Sequence, residues 1–213
     1  GSKEALLIDT REWEKRGVSE PGNEVVVRGP REGFIEALRI NTSLLRRKIH
    51  HPDLKMEYLK SGRYSQTDIC IAYVKGIASE NLVKEVRRRV EHINIDGILE
   101  SGYVEQLIED APFSLFPTIG NSEKPDTVAA KLLEGRVAIL IDGTPIVLTV
   151  PLLMVELFQS AEDYFSRPWF SSFVRFFRFI AFAISILLPA FYVAISSFHQ
   201  EVLPNSLMIT IAA

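Results

Sequence analysis

Apolar residues recur along this chain with two different periods, and the switches between them mark its elements. Glu24 to Arg28 (EVVVR) is a β-branched run ended by Gly29–Pro30, and it reads as a strand. From Glu32 to His50 the apolar positions Phe34, Leu38, Leu45 and Ile49 share one face, which predicts an amphipathic helix. Leu54, Met56 and Tyr58 then alternate with Lys55 and Glu57, the pattern of a half-buried strand. Ser61–Gly62–Arg63 turns the chain into a second strand, Thr67 to Val74 (TDICIAYV). Ser79 is placed to cap a helix running to His92 and burying Leu82, Val83, Val86 and Val90. A shorter helix follows over Ser101 to Asp110, then a proline-bounded extended piece from Phe113 to Ile119. Pro125 opens another helix that Gly135 closes. Asp142–Gly143–Thr144–Pro145 joins Val137–Ile141 to Ile146–Val150 as a hairpin. The alternation predicts an α/β domain with a mixed sheet.

The pattern changes abruptly after Arg178. Phe179 to Phe198 contains no charged residue, and as a helix it would rise about 30 Å, the thickness of a bilayer's hydrocarbon core. The expected architecture is therefore a mixed-sheet soluble domain followed by a transmembrane helix. Arg167, Arg175 and Arg178 precede the span and His199, Gln200 and Glu201 follow it, which places the N-terminal domain on the cytoplasmic side. Pro189 removes a backbone donor near mid-span and should bend the helix, either as a tolerated irregularity or as a hinge.

Five segments result. Residues 1–19 read as a tag and the tail of a missing upstream subdomain, 20–150 as an α/β subdomain, and 151–178 as a helical elbow beside the membrane. Residues 179–198 form the span, and 199–213 read as the start of a further membrane segment. Gly1–Ser2 looks like an expression scar. Ala5-Leu-Leu-Ile-Asp9 echoes Ala138-Ile-Leu-Ile-Asp142, as a strand left from a repeated subdomain would. Both ends thus suggest a piece of a longer membrane protein.

Charge narrows the partners. There are 24 basic and 27 acidic residues, a formal net charge of −3, and all but Glu201 precede the span. That balance offers no basic footprint for nucleic acid. The single Cys70 sits in a strand pattern between Ile69 and Ile71, so it reads as a structural thiol in a reducing compartment.

No catalytic constellation is visible: metalloprotease, nucleophile-elbow, phosphate-loop and paired-cysteine zinc patterns are all missing. The chain is expected not to be an enzyme and to use no cofactor or metal. His50 and His51 read as a helix end facing the last carbonyls. Asp96 and Asp142 precede glycines and read as turn residues.

Two clusters remain as candidate sites. Arg28, Gly29, Pro30, Arg31, Glu32 and Gly33 end a strand and open a helix, whose amides would suit an anion. Equally, Arg28, Arg31 and Glu32 would make a buried ion-pair network that fixes the turn. Asn41 lies near the apolar face, placed to satisfy backbone groups. The second cluster is the elbow: Glu162, Asp163, Tyr164, Arg167, Arg175 and Arg178, with Pro189 beyond it. There the carboxylates read as solvated or salt-bridged to the arginines, so that losing them should cost little stability.

The string RGPREGFIEALRINTSLLRRKI (Arg28 to Ile49) resembles the A subunits of the GerA family of spore germination nutrient receptors. The likeness continues through IDGILESGYVEQLIED (Ile95 to Asp110), SLFP (Ser114 to Pro117) and KPDTVAAKLLEGRVAILIDGTP (Lys124 to Pro145). It runs on in FQSAEDYF (Phe158 to Phe165), LPAFYVAI (Leu188 to Ile195) and HQEVLP (His199 to Pro204). Lys124 stands where the family usually has arginine, and Phe165 where tyrosine is common. The resemblance implies a subunit in the inner membrane of the endospore, with its N-terminal domain facing the core. It also implies B and C partner subunits, other A subunits, surrounding lipid and a small nutrient ligand for the complex. It suggests a contribution to a nutrient-gated ion channel that triggers germination. A passive scaffold for the partner subunits and a membrane-tethered enzyme stay open beside that reading.

Because the strand, helix and hairpin signals all precede Pro151, residues 20–150 are expected to fold without a membrane. A piece ending at Val150 should give a cooperative melt without detergent. A molten or insoluble product would remove that boundary.

Overall fold

The computed structural model describes residues 17, 20–22, 24, 29–159, 163 and 167–198. The expected strand beyond Glu24, the echo at Ala5, the tail after Phe198, and Arg28, Glu162 and Tyr164 lie outside the described residues. The chain divides into two units, Gly1–Leu153 and Met154–Ala213.

In the first unit, β1 (Leu54–Ser61) and β2 (Thr67–Val74) form a hairpin whose turn holds Gly62 at φ +89°. Their bounds follow the expected alternation closely. Two helices come next, α2 (Glu80–Glu91) and α3 (Ser101–Ile108). Short β3 (Gly120–Ser122) leads into α4 (Pro125–Leu133), and β4 (Val137–Ile141) turns back as β5 (Val147–Val150). The strands lie in the order β1-β2-β4-β5-β3.

The α/β class therefore holds, but every pairing among the described strands is antiparallel, not mixed. Both tight turns make hairpins, which are antiparallel by construction. The long β2-to-β4 connection, which alternation alone reads as a crossover, brings β4 in antiparallel, with Ile69 opposite Ile141 and Ala72 opposite Ala138.

Alternation along the inner strands sends side chains into two cores. Cys70, Ala72, Ala138, Leu140 and Val147 pack with Leu38, Leu45, Val128 and Leu132 of the layer made by the first helix, α1 (Leu38–Lys48), and α4. Ile69, Ile71, Val137, Ile139, Ile141 and Leu148 pack with Val83, Val86, Val90, Val104 and Ile108 of the α2/α3 layer. The first face carries the smaller residues of β2 and β4, so its helices can come close. Behind α4, Gly135 sits at φ +93°, and a Cβ there would meet the Ile77 carbonyl oxygen at 3.1 Å. Only glycine fits that reversal.

The first helix departs from its expected bounds. It spans Leu38–Lys48 and begins six residues later than periodicity suggests, with residues 31–37 outside any helix. Phe34 still enters the α1/α4 core, which is why its spacing reads as helical. Its N–H donates to the Glu123 carbonyl at 2.8 Å, so tertiary pairing with the β3–α4 connection overrides local preference. Ser79 occupies the cap position of α2, yet its side chain makes no capping bond. His51 turns its Nδ1 to Asp53 Oδ2 at 3.2 Å instead of facing helix carbonyls.

The second unit contains a 3₁₀ turn, Met154–Phe158, and one continuous helix, α5, Pro168–Phe198. α5 combines the arginine-bearing half of the elbow and the whole apolar span in a single element. Its 31 residues are long and apolar enough to cross a membrane, and nothing in the apolar window is buried. At 1.5 Å per residue it measures about 46 Å, close to a bilayer including its headgroups. Helical assignment runs through Pro189 without a break.

Cys70 is fully buried, and burial pushes its thiol up to about 12. It should resist thiol reagents at pH 8 in the folded protein and react fully in denaturant. Rapid modification without denaturant would contradict this core.

Candidate functional site

Between Arg31 and Asn41 the chain is held by groups from three places. Asn41 is fully buried; its Oδ1 accepts from Ile35 N at 2.9 Å and its Nδ2 donates to Ile35 O at 2.5 Å. One amide thus satisfies both polar groups of a buried, non-helical residue, as a strand partner would. Asp142 does the parallel task for α1. Its Oδ1 accepts from Leu38 N at 3.0 Å, and Gly143 N donates to Glu36 O at 2.8 Å. The helix N-terminus that looked available to an anion is therefore occupied by a carboxylate of the chain itself.

Arg31 and Glu32 do not pair with each other in the expected buried network, whose third member, Arg28, lies outside the described residues. Arg31 is exposed, and its Nε lies 3.6 Å from Glu20 Oε1. Glu32 instead reaches the basic tail of α1, with Lys48 Nζ and Arg47 Nη2 each at 3.1 Å from its carboxylate. The hydrogen bond from Lys48 leads the effects that hold its carboxyl below the usual range. Residues 31–37 lie outside any helix, and across them the helix tail meets Glu32. Gly33 is buried in that stretch rather than at a helix start, and Gly29 has φ +136°.

A second buried polar cluster was missed from sequence. Lys124, fully buried at the cap position of α4, lies 3.7 Å from Asp126 Oδ2. Beside it, Glu24 Oε2 accepts from Ser122 Oγ at 2.8 Å and from Glu123 N at 3.1 Å. The only available signal was the KPDT string, which periodicity ignores.

In the second unit the elbow is a compact clamp. Asp163 has a side chain only 6% exposed, and it faces Arg178 Nη1 at 2.8 Å and Arg175 Nε at 3.4 Å. Arg178 Nη1 also donates to the Phe158 carbonyl at 3.1 Å. Ser171 Oγ donates to Asp163 O at 2.7 Å, tying its backbone to the first turns of α5. Phe158 then lies edge-on against Phe179 and Phe182, with centroids 5.6 and 5.2 Å away. Of the two expectations, solvated or salt-bridged to the arginines, Asp163 takes the second, and it is buried because two arginines one turn apart on α5 close over it. Its loss would leave charge without compensation, so the expectation of a small stability cost is withdrawn. Arg167 offers a backbone carbonyl to Ser171 N at 3.0 Å and joins no described ion pair.

The chain thus joins an α/β unit with helices on both faces of its sheet to an apolar helix long enough to cross a membrane. The model of the family described as "Bacillus/Clostridium GerA spore germination protein" matches residues 1–213, and the chain belongs to that family. It is 50% identical to Spore germination protein KA of Bacillus subtilis (strain 168) over 213 residues, covering 100% of this chain and 39% of that protein. To Spore germination protein B1 of the same organism it is 46% identical over 212 residues, again covering 100% of this chain and 44% of the relative. The crystal structure of the N-terminal domain of the A subunit of the Bacillus megaterium spore germinant receptor GerK3 is 52% identical. That match covers 57% of this chain and 97% of the other, with a TM-score of 0.47. The chain spans about two fifths of the length of the curated relatives it matches.

Two substitutions test the extended segment. Asn41→Ala orphans the Ile35 amide and carbonyl in the core, and it should cost about 2–4 kcal/mol in denaturant unfolding. Gly33→Val adds a branched side chain at a buried position and should cost about 1–3 kcal/mol. Unchanged melting with altered germinant response for Gly33→Val would instead mark the segment as a ligand contact.

Proposed function

We propose that this chain is the core of an A-type germinant-receptor subunit in the inner membrane of the endospore. In this reading the α/β domain faces the spore core, and α5 carries its movement into the membrane. The completed protein, assembled with B and C subunits and other copies of itself, contributes to an ion-conducting path opened by a small nutrient. Membership in the spore germination family supports the role in germination. The basic residues ahead of the apolar span, with none directly after it, support the orientation.

The observation that carries the coupling step is the Asp163 clamp. A domain can move a membrane helix only through a linkage that is stiff on the timescale of the signal. Here a buried carboxylate, two arginines and the Phe158 ring fasten the incoming chain to three turns of α5. Movement of residues 154–163 is thereby transferred to the helix instead of being absorbed by a loop.

Asp163→Asn keeps the shape while removing the charge that holds Arg175 and Arg178. In spores with matched receptor abundance, the nutrient dose giving half-maximal germination should shift several-fold. Ion release should shift in parallel. A dose–response curve identical to that of the unsubstituted protein would remove the clamp from the mechanism. Reconstituted receptor that assembles with its partners but conducts no ions with nutrient present would favour a scaffold.

A further inference from the structure

We infer that the 3₁₀ turn Met154–Phe158 is a second membrane contact, lying in the boundary between headgroups and acyl chains beside the first turn of the span. The inference rests on the reading that α5 crosses the bilayer. Its partner is a lipid surface, and its carriers are Met154, Val155 and Leu157.

Depth is the first argument. Phe179 is the first residue of the charge-free run, and Phe182 lies one turn further in. Phe158 packs edge-on against both, so its ring sits on the apolar side of Arg178. Arg178 meanwhile holds the Phe158 carbonyl and Asp163, which keeps the polar atoms of this segment at the arginine's level. A 3₁₀ turn advances about 2 Å per residue, so Val155 and Leu157 stand within about 6 Å of Phe158 along the turn. They cannot be far from the hydrocarbon edge when α5 is inserted.

Chemistry is the second argument. No residue of the turn is buried, and Met154, Val155 and Leu157 are 56%, 56% and 42% exposed. Three exposed apolar side chains out of five residues would be a liability in water. Beside them the aromatic surface of α5, including Phe176, Phe177 and Phe179, is exposed in the same manner. The apolar turn is continuous with a helix surface that already requires lipid. Of the carboxylates in this segment, Asp163 is held by its two arginines, and Glu156, the ionisable residue of the turn, is half-buried. An apolar turn with its polar groups held at headgroup level is the arrangement of an interfacial anchor.

Environment-sensitive thiol probes can measure this directly, because buried Cys70 leaves an introduced cysteine as the reactive one. The chain would be reconstituted in vesicles of phosphatidylcholine and phosphatidylglycerol with a fluorophore at Val155→Cys or Leu157→Cys. Ile186→Cys serves as the mid-span reference and Lys84→Cys as the aqueous one. Spin-labelled lipids should quench positions 155 and 157, with the label near the headgroup more effective than one deep in the chain. Aqueous iodide should quench them at least about three-fold less than position 84. Adding Phe158→Ala should reverse that preference at position 155, and this second variant reports on placement even if one probe site folds poorly.

Iodide quenching at 155 and 157 equal to that at 84, with 186 quenched by lipid, overturns the turn's placement and leaves the span intact. Shielding from both quenchers also overturns it, because protein then covers the turn. Failure of lipid to quench 186 overturns the spanning reading and this inference together.

Discussion

Strand β4, Val137–Ile141, is buried at every position, and that can happen only if both faces of the sheet are covered. Val137, Ile139 and Ile141 face the α2/α3 layer, while Ala138 and Leu140 face α1 and α4. Each helix is therefore committed to one face before any surface residue is considered. Burying a large aliphatic side chain contributes about 1.5–3 kcal/mol, so five inward positions on one strand outweigh any single polar contact in the domain. The same strand ends in the Asp142–Gly143 turn, whose groups fasten Leu38 and Glu36. Central burial and the entry of α1 are thus set by one stretch, residues 137–143.

What could be read from the sequence was what one element decides for itself. β1 and β2 declared their bounds by alternation, α4 by its proline and glycine, and the β4–β5 hairpin by its turn residues. α1 was misplaced at its start because Phe34 serves the same core from an extended segment as it would from a helix. Nothing within residues 32–37 signals that Asn41 and Asp142 will supply their hydrogen bonds, the latter from 104 residues away. β3 has three residues, too few to show any period. The antiparallel arrangement depends on how β2 and β4 meet in space, and the helices between them are compatible with either direction.

The candidate sites divide on the same line. Proximity in sequence suggested that Arg31 and Glu32 belong together, but Glu32 is completed by Arg47 and Lys48, fifteen and sixteen residues on. In the elbow, the composition was legible and the burial was not. An aspartate before an aromatic-rich, arginine-bearing run reads as solvated or salt-bridged, and nothing local says that the two arginines will bury it. Helical geometry makes that closure natural, since residues three apart lie on one face. What no local pattern signals is that Phe158 and Asp163 pack against α5.

That packing changes what the arginines do. Two guanidinium groups at the edge of a hydrocarbon layer would normally be held by water and lipid phosphate, which yield easily to sideways movement. Here one nearly buried carboxylate takes part of that role, and the Phe158 carbonyl takes another. A phenylalanine adds an apolar contact just beyond them. With α5 inserted as proposed, polar and apolar holds on either side of one boundary would resist both withdrawal and deeper insertion, because each displacement exposes one of them to the wrong medium. α5 is continuous through this level, so rotation at the clamp has no loop in which to dissipate before Pro189. The proline is the first position in the charge-free run where the helix lacks a backbone donor, and so the first where such a rotation can become a bend.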